Sequence, residues 1–125
     1  MRLAGENAVM VSSHFLHLVA MIGLRTLGRT PFGVDRTVRM VRKLGRRLPP
    51  MDREQARTVA GKLRAGTCLT RAMTVSARWP GSVVVVGVRA GKAVPEGFGA
   101  HAWVEREGMP LRLEDPEGAV IARFA

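Results

Sequence analysis

A single thiol, Cys68, stands 33 positions before a histidine, His101, in the run Ala100-His101-Ala102-Trp103-Val104-Glu105. Nucleophilic cysteine catalysis needs a thiol that ionises and an imidazole that takes and returns its proton. Cys68 follows Gly66-Thr67 and opens a predicted helix. At such a start, unsatisfied backbone N–H groups and the positive end of the helix dipole favour a thiolate. The same N–H groups, that of Cys68 included, suit the oxyanion of a tetrahedral intermediate. The competing reading is packing, since free cysteine is among the most buried residue types.

Strand alternation puts His101, Trp103 and Glu105 on one side and Ala100, Ala102 and Val104 on the other. A lone strand histidine is more often structural than catalytic, but beside a helix-start cysteine it is the natural general base. A third group should orient the imidazole. A two-residue turn at Glu107-Gly108 pairs Arg106 with Met109 and sets Glu114 opposite His101, whereas a three-residue loop sets Asp115 there. Either carboxylate would serve, and either reads equally as a solvated acid at a strand end. Glu105 shares the face of His101 but lies roughly 13 Å along the strand, too far to orient it directly. His14 and His17 are spaced for one helix face, yet no cysteine or acid cluster accompanies them. Packing explains that pair better than a metal site.

Four predicted helices and a small sheet must carry these groups. The first spans about Asn7 to Leu27; the second follows the turn at residues 30–33, with Val34, Val38, Val41, Leu44 and Leu48 at helical spacing until Pro49-Pro50. Asp52 with Gln55 reads as a capping box for a third helix, inward at Ala56, Val59, Ala60 and Leu63 and broken by Gly66. The fourth runs from Thr67 or Cys68 to about Trp79 and closes at Pro80-Gly81. Val83–Val86 is a β-branched run suited to a central strand buried on both sides. Residues 90–97 read as a loop, Gly99–Arg106 as the next strand and Met109–Leu113 as its return.

Composition bounds the function. At 125 residues the chain holds one domain's worth of core: an Arg-rich helical part at 1–65, then a helix and antiparallel strands at 66–125. The fold class expected is α+β. One cysteine excludes an intrachain disulfide and fits a reducing cytoplasm. The apolar segment Ala8–Leu24 carries Ser12, Ser13, His14 and His17, a poor membrane span. It reads as a buried or partner-facing helix, with a membrane-surface position as the alternative. Of the net charge of +10, residues 25–64 carry twelve Lys/Arg against Asp35, Asp52 and Glu54. Such a field attracts acidic partners. A nucleic-acid or polyanion-binding module is the rival reading, weakened by 5% aromatic content, no Tyr and no recognisable DNA-binding motif. The arginines are expected to form mainly a solvated face.

Cys68-Leu-Thr-Arg-Ala72, Gly87-Val-Arg89 and Phe98-Gly-Ala-His101-Ala-Trp-Val-Glu105 with Gly108 occur in a characteristic order. Over residues 66–108 the chain resembles the free-standing leader peptidase of lasso-peptide biosynthesis, a transglutaminase-like, papain-related cysteine protease; the N-terminal half is similar in general character only. The resemblance implies cleavage between leader and core of a ribosomally made precursor peptide, before macrolactam formation in antibiotic-type biosynthesis. It implies Cys68 as nucleophile and His101 as base and then acid. It also implies a small leader-binding protein and an ATP-dependent macrolactam cyclase as partners, no cofactor, no metal and no nucleic acid. Where the family carries its third member, this chain has Leu113, with Glu114 and Asp115 just after; a bulge or longer turn would favour Asp115. Acyl transfer to amines, known among transglutaminase-like relatives, is the alternative within catalysis.

Overall fold

Each of three helices starts at a residue built to satisfy its free N–H groups. Thr30 accepts the Gly33 N–H at 3.2 Å ahead of Pro31, whose missing donor and fixed φ suit a first helical position. Asp52 and Gln55 close the expected capping box, and Thr67 with Thr70 closes a second. A computed structural model of the chain describes residues 2–63, 65–88, 100–112 and 119–125, the side chains of residues 2–7, 88 and 100 apart. In order, these form α1 (Arg2–Leu27), α2 (Pro31–Gly45), α3 (Arg53–Lys62), α4 (Cys68–Arg78), β1 (Ser82–Val88), β2 (Ala100–Arg106), β3 (Met109–Pro110) and β4 (Ala119–Phe124).

The architecture is α+β. All neighbouring strands are antiparallel, in the order β3-β2-β1-β4. β1 is central, and Val84 and Val85, pointing to opposite faces, are both fully buried. α4 packs on β1 and β2, while α1 and α2 pack on α4 and on each other. Leu16, Ala20, Val38, Met73, Val84, Ala102 and Val104 belong to the shared core. α4 thus lies between the outer helices and the sheet.

Three expectations need correction. α2 ends at Gly45 rather than near Leu48, because Arg47 and Leu48 donate to Leu44 and Gly45 in tight three-residue turns ahead of Pro49-Pro50. The return strand is Met109–Pro110, not Met109–Leu113. Leu111 still donates to the Val104 carbonyl at 2.9 Å, then the chain bends, with Arg53 and Arg57 of α3 bonded to the carbonyls of Pro110 and Leu111. β4 was not expected: its apolar residues are mostly exposed, so the strand lacks the inward alternation that sequence reading relies on. The loop expected at 90–97 lies outside the described residues.

The Arg-rich part is mainly a solvated face, with Arg42 the exception among its described residues; Arg78 of α4 is buried as well. Arg42 reaches inward to Ser76 Oγ at 2.7 Å and to the Ser82 carbonyl at 2.8 Å. Arg78, buried, donates to the carbonyls of Pro49 and Val9 and to Ser12 and Ser13. Burial lowers the pKa of both guanidinium groups from the ordinary value. Their partners are neutral oxygens, not carboxylates, and the buried Arg42 Nε has no partner among the described residues.

Candidate active site

The start of α4 is held from three directions. Thr67 Oγ1 accepts the Thr70 N–H at 3.3 Å, and Thr70 Oγ1 accepts the Thr67 N–H at 3.0 Å. His17, buried on α1, shares a 2.9 Å hydrogen bond with Thr70 Oγ1. Gly66 takes φ of +74°, and a side chain there would run into Thr70, His17 and Met21. Cys68 is therefore the first residue of a helix whose entry is fixed by its own capping box and by His17, which lies 53 residues before its partner Thr70 in sequence. The first main-chain helical bond runs from Arg71 to the Thr67 carbonyl, so the N–H groups of Cys68 and Leu69 have no acceptor among the described residues.

Across from it, β2 carries His101. The thiol and the imidazole line one cleft at the edge of the sheet rather than lying together on one of its faces. Ala102 and Val104 point toward α4, so alternation sends His101 to the opposite face. β3 pairs only with Glu105 and Arg106, leaving the edge of β2 from His101 to Trp103 without a strand partner on that side among the described residues. Into this gap reaches Cys68: the Ala102 N–H donates to its Sγ at 3.3 Å. Cys68 and His101 both line the resulting cleft of about 70 Å³, together with Arg71, Ala102, Trp103 and Leu111. Cys68 is half-buried, and its thiol accepts a hydrogen bond from the backbone next to His101. The cleft is far smaller than the several hundred Å³ typical of small-molecule pockets. It suits a single reacting group presented by a chain lying across its mouth.

His101 is held by its own face of the strand. Trp103 stacks on the imidazole with centroids 5.7 Å apart and planes 28° from parallel. The Trp103 Nε1–H donates to Glu105 Oε2 at 2.7 Å, and Arg123 of β4 lies 3.7 Å from Glu105 Oε1. Glu105 thus accepts from the indole that stacks on the imidazole, a link that distance along the strand alone does not reveal. Opposite His101 on β1 stands Gly87, which offers no side chain to crowd the ring.

Of the candidate residues, the structure brings Cys68 and His101 to one cleft. Glu114 and Asp115 both lie outside the described residues, as does Leu113. The turn before them is the two-residue form: Arg106 pairs with Met109, and Glu107 and Gly108 have φ of 55° and 78°, as a type I′ hairpin requires. That is the register the sequence associates with Glu114, and the longer turn invoked for Asp115 is not formed. His14 and His17 do not act as a pair: His14 is exposed and His17 bonds Thr70. No cluster of three or more potential metal ligands occurs among the described residues. Burial, then the charges of Arg71 and His14, lower the His17 pKa and so favour its neutral ring.

Sequence reasoning missed the His17–Thr70 link and the Trp103–Glu105–Arg123 row. A capping box closed by Thr instead of Glu or Gln gives no sequence signature, and Arg123 belongs to the unexpected strand. Compared with protein-family models, curated proteins and solved structures, the chain matches none.

Proposed function

We propose that this chain is a cysteine peptidase that removes the leader from a ribosomally synthesised lasso-peptide precursor, with a transglutaminase-like arrangement of nucleophile and base. The observation that carries the reading is the shared cleft: a helix-start thiol and a strand histidine line it at a stretch of sheet edge that has no strand partner among the described residues. An extended peptide is the substrate form such an edge accommodates.

In this mechanism His101 takes the Cys68 proton, and the sulfur attacks the carbonyl carbon of the last leader residue. The oxyanion rests against the N–H groups of Cys68 and Leu69, which the helix leaves unspent. The imidazolium then gives its proton to the departing amine, which becomes the N-terminus of the core peptide. Water, deprotonated by His101, attacks the thioester; the leader leaves as a carboxylic acid and the thiol is restored. Trp103 and Glu105 hold the ring through the cycle. Glu114 and Asp115 remain the two candidates for a directly bonded third member. A leader-binding protein would supply recognition, since the small cleft reads little more than the scissile bond, and a separate ATP-dependent cyclase would take the freed core. The site of action proposed is the cytoplasm.

The test is leader release, followed by mass, when the protein and its leader-binding partner meet the precursor. Wild type should release leader as a free acid, and Cys68→Ala should not. Cleavage by the alanine variant at the wild-type rate would sink the proposal. A leader joined to an added amine, in place of the free acid, would instead favour acyl transfer.

A further inference from the structure

The helix that steadies Cys68 with one face leaves its other face bare. On α1, Ser13, Leu16, His17, Ala20 and Leu24 are buried. Opposite them, Val11, Phe15, Leu18 and Ile22 are 69%, 58%, 50% and 56% exposed. Their four-three-four spacing makes one apolar stripe along the helix. A helix apolar on all sides is normally covered on all sides; this one is covered on only half.

Its rim is basic. α2 packs so closely beside α1 that a side chain at Gly23 would lie 2.6 Å from Met40 Cε. The outward face of α2 carries exposed Phe32, Arg36, Met40 and Lys43, with the Arg36 guanidinium 5.1 Å above the Phe32 ring. Arg25 and Arg29, at the junction of the two helices, are exposed as well. Among the described residues, the one ion pair on this side joins Arg39 to Asp35.

We propose that this face lies on an anionic lipid bilayer, with the α1 stripe seated among the acyl chains and the arginines among the headgroups. Charge decides between occupants. A second copy docked through the same stripe would bring two cationic rims together, which disfavours self-association. A polyanion such as nucleic acid would match the rim but gain nothing from four exposed apolar side chains. An anionic membrane surface satisfies both at once. The window Ala8–Leu27 is long and apolar enough to cross a bilayer. However, spanning would strip its buried face from the core and break the His17–Thr70 bond, so α1 rests in the interface. No residue of α1 lines the Cys68 cleft, and the stripe lies on the face of α1 opposite its buried one, so seating the stripe in lipid leaves the cleft open.

Flotation with vesicles tests the proposal on the full chain. The vesicles are either phosphatidylcholine alone or an equimolar mixture with phosphatidylglycerol, at low and high salt. Wild type should float with the anionic vesicles and bind neutral ones, or anionic ones in high salt, about tenfold less. The exposed double substitution Phe15→Ser/Leu18→Ser should also lose about tenfold, with circular dichroism unchanged. Arg36→Gln/Lys43→Gln should weaken binding to anionic vesicles only. Absence of flotation with anionic vesicles would overturn the proposal. So would binding insensitive to the stripe substitution, or a stable dimer or protein complex that the stripe substitution disperses. The readout is independent of peptidase activity.

Discussion

Replacing Gly66 by Ala tests how the nucleophile is positioned. Gly66 takes φ of +74°, and an added Cβ would lie 2.5 Å from Thr70 Oγ1, 2.9 Å from His17 Nε2 and 3.0 Å from Met21 Sδ. The left-handed backbone alone costs an L-residue about 1 kcal/mol. Relief of the contacts moves Thr70 or His17. Opening the cap of α4 costs about 1 kcal/mol, and breaking the buried bond to His17 about 1 kcal/mol more. The expected loss is therefore about 3 kcal/mol. Gly108→Ala is the control: its φ is +78°, but nothing lies within 4 Å of the added atom, so only the backbone cost remains. That variant should lose about 1 kcal/mol. Urea unfolding of both variants, followed through the buried Trp79 and Trp103, reads the difference. If the two glycines cost the same, the network around Thr70 does not hold the start of α4, and the argument fails.

Three further outcomes follow from the same contacts. Arg78→Met should destabilise by about 4 kcal/mol, because the Pro49 and Val9 carbonyls lose a buried donor; a loss no larger than that of an exposed substitution in urea unfolding would contradict it. Trp103→Phe keeps a ring against His101 but removes the donor to Glu105; leader release should show kcat lower by about tenfold with KM little changed. His17, its pKa lowered mainly by burial, should make stability depend on pH. With the folded-state value below the unfolded one, His17 adds full stability above about pH 6.5, and that contribution falls as pH drops through and below that value. His17→Asn should flatten this part of the profile, measured as the urea midpoint from about pH 8 to about pH 5.

What the sequence made legible was local. Asp52 and Gln55 announce the start of α3, Pro80-Gly81 the end of α4, and the valine run a strand buried on both sides. Helix-start Cys68 and strand-borne His101 follow from the same signals. What stayed hidden depends on contacts between elements far apart in the chain. Nothing in the spacing of His17 and Thr70 says that α1 crosses the start of α4. Alternation puts His101 on the face away from α4; only the shortness of β3 explains how it shares a cleft with Cys68. Arg42 and Arg78 look like surface charges until their neutral partners are seen. The apolar residues of α1 read as a buried or partner-facing helix, and composition alone does not say that one face is buried and the other bare.

The central claim is that Cys68 is the nucleophile, and a covalent intermediate tests it most directly. Precursor, leader-binding partner and excess protein are mixed, quenched with acid within one turnover, and the intact protein is weighed. The expected result is an added mass equal to the leader acyl group, mapped to Cys68 and released by hydroxylamine as a thioester would be. His101→Ala should accumulate the adduct far more slowly, and Cys68→Ala should carry none. Leader cleaved by Cys68→Ala at the wild-type rate, or an adduct on any other residue, would contradict it.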